Sequence, residues 1–223
     1  MHKLLEKFYM RTILNLSNKK EVALPKEFQN DDNRFSESFA RYFIEAFTKK
    51  SDAVFDPFAG YGTSLRVAEN LGRIAYGTEF DREKANFART TLRNPGNLIF
   101  GDALKISELG IPHFDFSITS LLYMHRDDEN PFKTISGDMT EYDRYLFDME
   151  SVYVQIKNKL KTGGKVVIEV SNLKKGNTVT TLAWDIAKAV SKVLHFDGEI
   201  VIHWVEGYGY GYDHSYALVF HKE

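Results

Sequence analysis

Two stretches of this 223-residue chain carry residue types that could do chemistry. The first runs Val54-Phe55-Asp56-Pro57-Phe58-Ala59-Gly60-Tyr61-Gly62-Thr63, a carboxylate followed by paired glycines. Glycines in a tight turn let backbone N–H groups approach a ligand and accept dihedral angles that side chains forbid. A lone G-x-G is weak, since any strand-to-helix turn can use one. No Gly-Lys-Ser/Thr follows, which excludes a phosphate-binding P-loop. Leu65 stands where a dinucleotide loop has its third glycine, which weakens a nicotinamide reading. Glu79 ends the next strand, where a carboxylate can accept bonds from both hydroxyls of a ribose, and Asp102 follows the strand after it. The second stretch, Thr119-Ser120-Leu121-Leu122-Tyr123, places a hydroxyl and an aromatic ring three residues apart. The absence of cysteine excludes a disulfide framework, a thiolate metal site and a cysteine nucleophile. His203, His214 and His221 have no metal-ligand spacing, and no metal is expected. His125 reads as a surface residue of a loop.

These residues need strands and helices to position them. Ser36 is placed to cap a helix with Phe39, Phe43, Ala46 and Phe47 on its apolar face. Ala53 to Phe55 reads as a strand ending at Asp56, followed by a helix from Thr63 to Leu71. Arg73–Thr78 is a second strand, and 81–93 its helix, stopped by Asn94-Pro95-Gly96. Asn97–Phe100 and the alternation of Phe114, Phe116 and Ile118 predict two more strands. Asp138 and Glu141 form a capping-box pattern ahead of a helix carrying Tyr142, Tyr145, Leu146, Met149, Val152, Tyr153, Ile156 and Leu160. Gly163-Gly164 is expected to end that helix and start the strand Lys165–Val170. A further helix carries Val179, Leu182, Ile186, Ala189 and Val193, and strands near 199–205 and 215–220 close the chain. Strands alternating with helices imply an α/β fold, doubly wound around a mainly parallel sheet, with a C-terminal antiparallel hairpin. Ligands in such a sheet sit beyond the carboxyl ends of the strands, where the strand order switches.

The segment from Val54 to Thr63 resembles the cofactor motif of the S-adenosylmethionine-dependent amino-methyltransferases that act on bases of DNA and RNA. The likeness extends from about Phe35 to Lys222 and implies a seven-stranded, Rossmann-like class I methyltransferase fold. Residues 1–34 are then an N-terminal extension packed on a methyltransferase domain of residues 35–223, with a weak helical pattern near the start. The resemblance assigns S-adenosylmethionine to Asp56, Phe58, Ala59, Gly60, Tyr61, Gly62 and Thr63 at its methionine end, with Asp56 accepting from the ammonium. Glu79 then takes the ribose, Phe80 packs on the adenine, and Asp102 with Ala103 lies at the adenine amino group. Phe35-Ser36 resembles the segment that covers the cofactor carboxylate.

Family members follow the fourth strand with Asp/Asn/Ser-Pro-Pro-aromatic. The polar side chain and the next carbonyl accept the hydrogens of the target amino group, and the ring stacks on the base. Ser120 and Tyr123 match, and the carbonyl of Leu121 is present, so these three are the catalytic candidates, with Ser120 also beside the cofactor. Both prolines have become leucine, Leu121 and Leu122, which removes the restriction on φ that holds the loop. Restoring the prolines is therefore expected to raise transfer. The polar run 124–132 is long for a connection and reads as a lid or substrate loop.

The family points to an exocyclic amino nitrogen of a base in DNA or RNA. Charge does not favour a nucleic-acid partner: the chain is net −2, and residues 101–150 are net −7 against +3 for residues 1–50. A homologue that binds cofactor with little nucleic-acid activity, and a methyltransferase for a small molecule or protein, stay open. Nothing in the sequence calls for a membrane partner, and a cytoplasmic location is the expectation. Ser171-Asn172 and the turn 207–214 are expected on the substrate side, where tyrosines can stack on a base.

Overall fold

The computed structural model describes residues 11–223, apart from the side chains of residues 30 and 31. The expected helical pattern at the start of the chain falls partly outside that range. The strands are β1 (Ile13–Leu16), β2 (Ala53–Asp56), β3 (Ile74–Glu79), β4 (Leu98–Phe100), β5 (Phe114–Ser120), β6 (Leu160–Val170), β7 (Leu173–Lys175), β8 (Thr178–Thr180), β9 (His195–Trp204) and β10 (His214–His221). The helices are α1 (Glu37–Phe47), α2 (Thr63–Asn70), α3 (Arg82–Thr91), α4 (Glu141–Lys159) and α5 (Leu182–Val190).

Eight strands form one sheet in the order β1-β9-β10-β6-β5-β2-β3-β4, with β7 and β8 paired separately. The strands from β4 to β6 run parallel, and β10 lies antiparallel between β6 and β9. This is the class I methyltransferase arrangement, with one strand more than the sequence suggests. β1 adds at the edge, parallel to β9, pairing Ile13 with Val201. Four residues with one buried side chain give too short a pattern to read as a strand, and β9 supplies the missing context.

Both faces of the sheet are covered. Along β6, Val166 and Ile168 pack beneath α4 and α5, while Val167 between them packs beneath α1 and α2. Leu218, Val219 and Phe220 of β10 alternate in the same way. Strands buried on both faces carry continuous apolar runs, as β6 does at 166–168 and β10 at 217–220. Strand order reverses between β2 and β5, so the crevice for a ligand opens past Asp56 and Ser120. Among the described residues no helix is long and apolar enough to cross a membrane.

Three local expectations are corrected. α4 is capped by Thr140, whose hydroxyl accepts from the Asp143 N–H at 3.0 Å, and not by Asp138. Glu141 turns back to the Ser136 hydroxyl and the Asn130 N–H, tying down the loop that precedes the helix. The same helix stops at Lys159, four residues before Gly163-Gly164, because Leu160 turns into the core. Val179 is not helical: Gly176, at φ +59°, folds β7 back on β8, and α5 begins at Leu182. Asp81 is the N-cap of α3, accepting from the Glu83 and Lys84 N–H groups.

Candidate active site

Asp56 ends β2 and organises the loop that follows. It is 2% exposed. One carboxylate oxygen accepts from the Phe58 N–H at 2.9 Å and the Thr119 hydroxyl at 2.7 Å, and the other accepts from the Ser64 hydroxyl. Asp56 thereby ties its own loop to the end of β5 and the first turn of α2. Burial pushes its pKa up to about 6, against the pull of the Ser64, Thr119 and Phe58 donors. A carboxylate offers about four lone-pair sites, so these bonds leave about one for a ligand.

The two glycines do different work. Gly60 takes φ +51° with open space where a side chain would stand, so a ligand can approach its backbone. Gly62 takes φ +78° and is the residue from which α2 starts. A Cβ there would lie 3.1 Å from the Cβ of Ala88, so Gly62 lets α3 pack against the loop.

Glu79, at the end of β3, accepts from the Gly60 N–H and the Asp81 N–H, each at 2.7 Å. It braces the glycine loop as well as facing the crevice, and burial raises its pKa. Asp102 follows β4 and accepts from the Leu104 N–H at 2.9 Å, capping a short 3-10 helix.

A cavity of about 310 Å³ opens where these groups converge. Of the residues singled out from sequence, Phe35, Asp56, Phe58, Ala59, Gly60, Tyr61, Thr63, Glu79, Phe80, Asp102, Ala103, Ser120 and Leu121 line it. Ser36, Gly62 and Tyr123 are absent from its wall. Ser36 is fully buried and bonds Ser38 at 2.8 Å, part of the seam holding Ser17 to α1. Phe80 is 69% exposed at the rim, its ring stacked on Phe100. Pro131, Phe132 and Lys133 of the loop after β5 close the other side. Asn130 anchors that loop through Asp148 at 2.9 Å and Thr134 at 3.0 Å.

Arg34 escaped the sequence reading and also lines the cavity. Its side chain is 6% exposed, held by Asp32 at 2.7 Å and by the carbonyl of Val22. Its Nη1 is buried with no partner among the described residues, as is the Thr63 hydroxyl in the same wall. Buried polar groups of this kind are rare unless something else satisfies them. A carboxylate oxygen would satisfy an unpaired guanidinium N–H, and a hydroxyl can donate to one as well.

Ser120 and Tyr123 converge on a residue the sequence reading also missed. Glu169 of β6 pairs with Ser120 in the sheet and is 2% exposed. It accepts from Ser120 and Tyr123, each at 2.8 Å, and from Tyr208 at 2.7 Å. Burial and the Glu169 charge raise the pKa of both tyrosines, keeping them protonated as donors. The signal was present in Val166-Val167-Ile168-Glu169-Val170, a single acid inside a strand buried on both faces. Tyr208 stacks on Trp204, its ring planes 9° apart, and so serves this cluster from the turn between β9 and β10. Asn172 accepts from the Ala183 N–H and fixes the start of α5.

The leucines carry loads of their own. Leu121 is 4% exposed in the core and its N–H donates to the Glu169 carbonyl at 3.4 Å. The Leu122 carbonyl accepts from Tyr145 at 2.8 Å. Proline at 121 would remove both a donor and buried apolar surface, so restoring the prolines no longer promises a gain. His195, Asp197 and His221 are the one group among the described residues with metal-ligand character, where β9 begins and β10 ends, at the opposite end of the strands from Ser120 and Glu169. There Asp197 already bonds Lys165 and His221.

Residues 5–90 match a DNA methylase family profile of the N6/N4 type. The type II methyltransferase M.BglII of Bacillus subtilis is 36% identical over 55 residues, which are 25% of this chain and 15% of that protein. Among solved structures, TrmN from Thermus thermophilus superposes with a TM-score of 0.62 at 15% identity, covering 85% of this chain and 49% of TrmN. A TehB-like SAM-dependent methyltransferase from Corynebacterium glutamicum does so with a TM-score of 0.57 at 16% identity, covering 88% and 93%. The chain thus spans less than half the length of M.BglII and of TrmN.

Proposed function

We propose that this chain, related through residues 5–90 to the DNA amino-methyltransferases, transfers a methyl group from S-adenosylmethionine to an exocyclic amino nitrogen of a base in DNA or RNA. The observation that carries the reading is the cavity at the switch in strand order. Its wall brings the 56–63 loop, Glu79, Asp102 and Ser120 together with two unsatisfied buried groups, Arg34 Nη1 and the Thr63 hydroxyl. Those two groups fit the amino-acid end of the cofactor, Gly60 admits it to the loop, and Glu79 and Asp102 have lone pairs left for ribose and adenine. The bound cofactor supplies an electrophilic methyl group. The chain orients the reactants and offers the Ser120 oxygen and the Leu121 carbonyl to the hydrogens of the target amine.

A small-molecule acceptor is the second reading, favoured by the net −7 of residues 101–150, which repels a polyanion near the acceptor side. Calorimetry with S-adenosylmethionine, S-adenosylhomocysteine and NAD tests the cofactor, and binding of NAD alone refutes the proposal. Transfer of a labelled methyl group to DNA, total RNA or a small-molecule extract then identifies the acceptor. Label in the extract alone would favour the second reading.

A further inference from the structure

The cluster behind Ser120 joins three separate pieces of chain at one carboxylate. Ser120 ends β5, Tyr123 lies in the loop after it, and Tyr208 belongs to the turn before β10. All three hydroxyls reach Glu169, and the two tyrosine oxygens lie 2.6 Å apart. Burying a carboxylate is costly unless donors surround it, and here they do. Lys20, from the segment ahead of α1, is close enough for the charge of Glu169 to act on it.

A serine hydroxyl has one proton and two lone pairs. When the proton is committed to Glu169, the oxygen presents lone pairs only, and Ser120 lines the cavity. Tyr123 is drawn to the same carboxylate, which constrains both ends of the turn Ser120-Leu121-Leu122-Tyr123. That is the constraint a pair of prolines would otherwise supply.

We infer that Glu169 is a positioning residue for methyl transfer: it holds the 120–123 turn without prolines and fixes Ser120 as an acceptor toward an amine N–H. The inference rests on the function proposed above. The acceptor nitrogen forms its bond to the methyl carbon as the carbon–sulfur bond breaks, with that electron pair staying on sulfur and one amino proton passing to water. Lone pairs aimed at the amine hydrogens favour the tetrahedral nitrogen of this step. A substrate presenting an unprotonated ring nitrogen or an oxyanion to Ser120 is disfavoured, since lone pairs would face lone pairs.

The test compares wild type with Glu169→Gln, Ser120→Ala, the double variant and Tyr208→Phe. Glutamine keeps the size of glutamate, yet its amide can donate to Ser120 and consume the lone pair the substrate needs. Three measurements are made: calorimetric binding of S-adenosylmethionine, amide hydrogen exchange of residues 121–124 without any acceptor, and labelled-methyl transfer to total RNA and DNA. In Glu169→Gln, cofactor affinity should hold within about twofold and kcat should fall by about 10- to 100-fold with KM little changed, a step below the loss for a directly contacting group. Adding Glu169→Gln to Ser120→Ala should cost less than about threefold more, because the two act as a unit. Exchange at 121–124 should quicken in Glu169→Gln and Tyr208→Phe. Should Glu169→Gln fail to fold, Tyr208→Phe, which keeps its ring on Trp204, should still slow transfer by about 3- to 10-fold for the lost hydroxyl and its bonds to Glu169 and Tyr123. Wild-type kcat in Glu169→Gln, or losses that multiply in the double variant, overturns the inference and leaves the proposed function standing. Transfer by wild type to neither nucleic acid overturns both.

Discussion

Replacing Arg34 with methionine separates the two ends of the proposed cofactor. Arg34 Nη1 is a buried donor in the cavity wall that has no partner among the described residues. Its remaining donors are taken by Asp32 at 2.7 Å and by the Val22 carbonyl at 3.1 Å. A hydrogen bond to a charged group contributes about 1.5–3 kcal/mol, or roughly 10- to 150-fold in affinity. Arg34→Met should therefore weaken S-adenosylmethionine by about that factor. The variant also leaves Asp32 unpaired, which can reshape the wall and weaken any ligand. 5′-Methylthioadenosine reports that effect by itself, since it keeps adenine and ribose and lacks the amino-acid end. Calorimetric titration of both proteins with both ligands gives a cycle in which the wall effect cancels. The cofactor should lose at least about tenfold more than the truncated ligand. Equal losses, or undiminished binding of S-adenosylmethionine, refute the assignment of Arg34 to the carboxylate.

Other consequences follow from the same geometry. Gly62→Ala forces a side chain into φ +78° and brings its Cβ to 3.1 Å from Ala88, so it should cost about 2 kcal/mol, seen as a lower urea midpoint; an unchanged midpoint contradicts the packing role. Asp56 has its pKa raised by burial from 3.8 to about 6, so the folded protein holds that proton longer than the unfolded chain. Its contribution to stability should fall as pH rises from about 4 to about 6 and level off above, and the difference between wild type and Asp56→Asn in urea unfolding should trace that curve. A flat difference across this range would show that the carboxylate titrates normally. Leu121→Pro removes an N–H donor and a buried leucine, and should lower stability by about 2–4 kcal/mol without raising transfer. A gain in labelled-methyl transfer in that variant would return the prolines to the role the family gives them.

Much of this protein is legible from sequence because the deciding interactions are local or periodic. The 54–63 segment, with an acid at a strand end and glycines at the turn, already specifies a loop open to a ligand. Apolar runs such as 166–168 and 217–220 specify strands buried on both faces, since only cover on both sides can bury them. Asp81 caps α3 through neighbours two and three residues away, well within reach of a sequence pattern. The choice of Thr140 over Asp138 was not legible, because Glu141 is drawn to Ser136 and Asn130 instead of closing a capping box. β1 is a strand only because β9 offers its edge.

At the site the division is sharper. Most of the residues proposed to hold the cofactor stand in a single segment and at two strand ends, so their order along the chain announced them. Arg34, Tyr208 and Glu169 acquire meaning only when the chain folds. Arg34 is notable for an N–H that nothing among the described residues satisfies, and that is a property of its enclosure. Glu169 lies 49 residues from Ser120, and parallel pairing of β5 with β6 makes them neighbours. Sequence alone determined the loop and the doubly wound sheet, since backbone freedom and apolar periodicity are written locally. Tertiary structure alone decided what holds the 120–123 turn, since a buried carboxylate can collect donors only from segments that folding brings together.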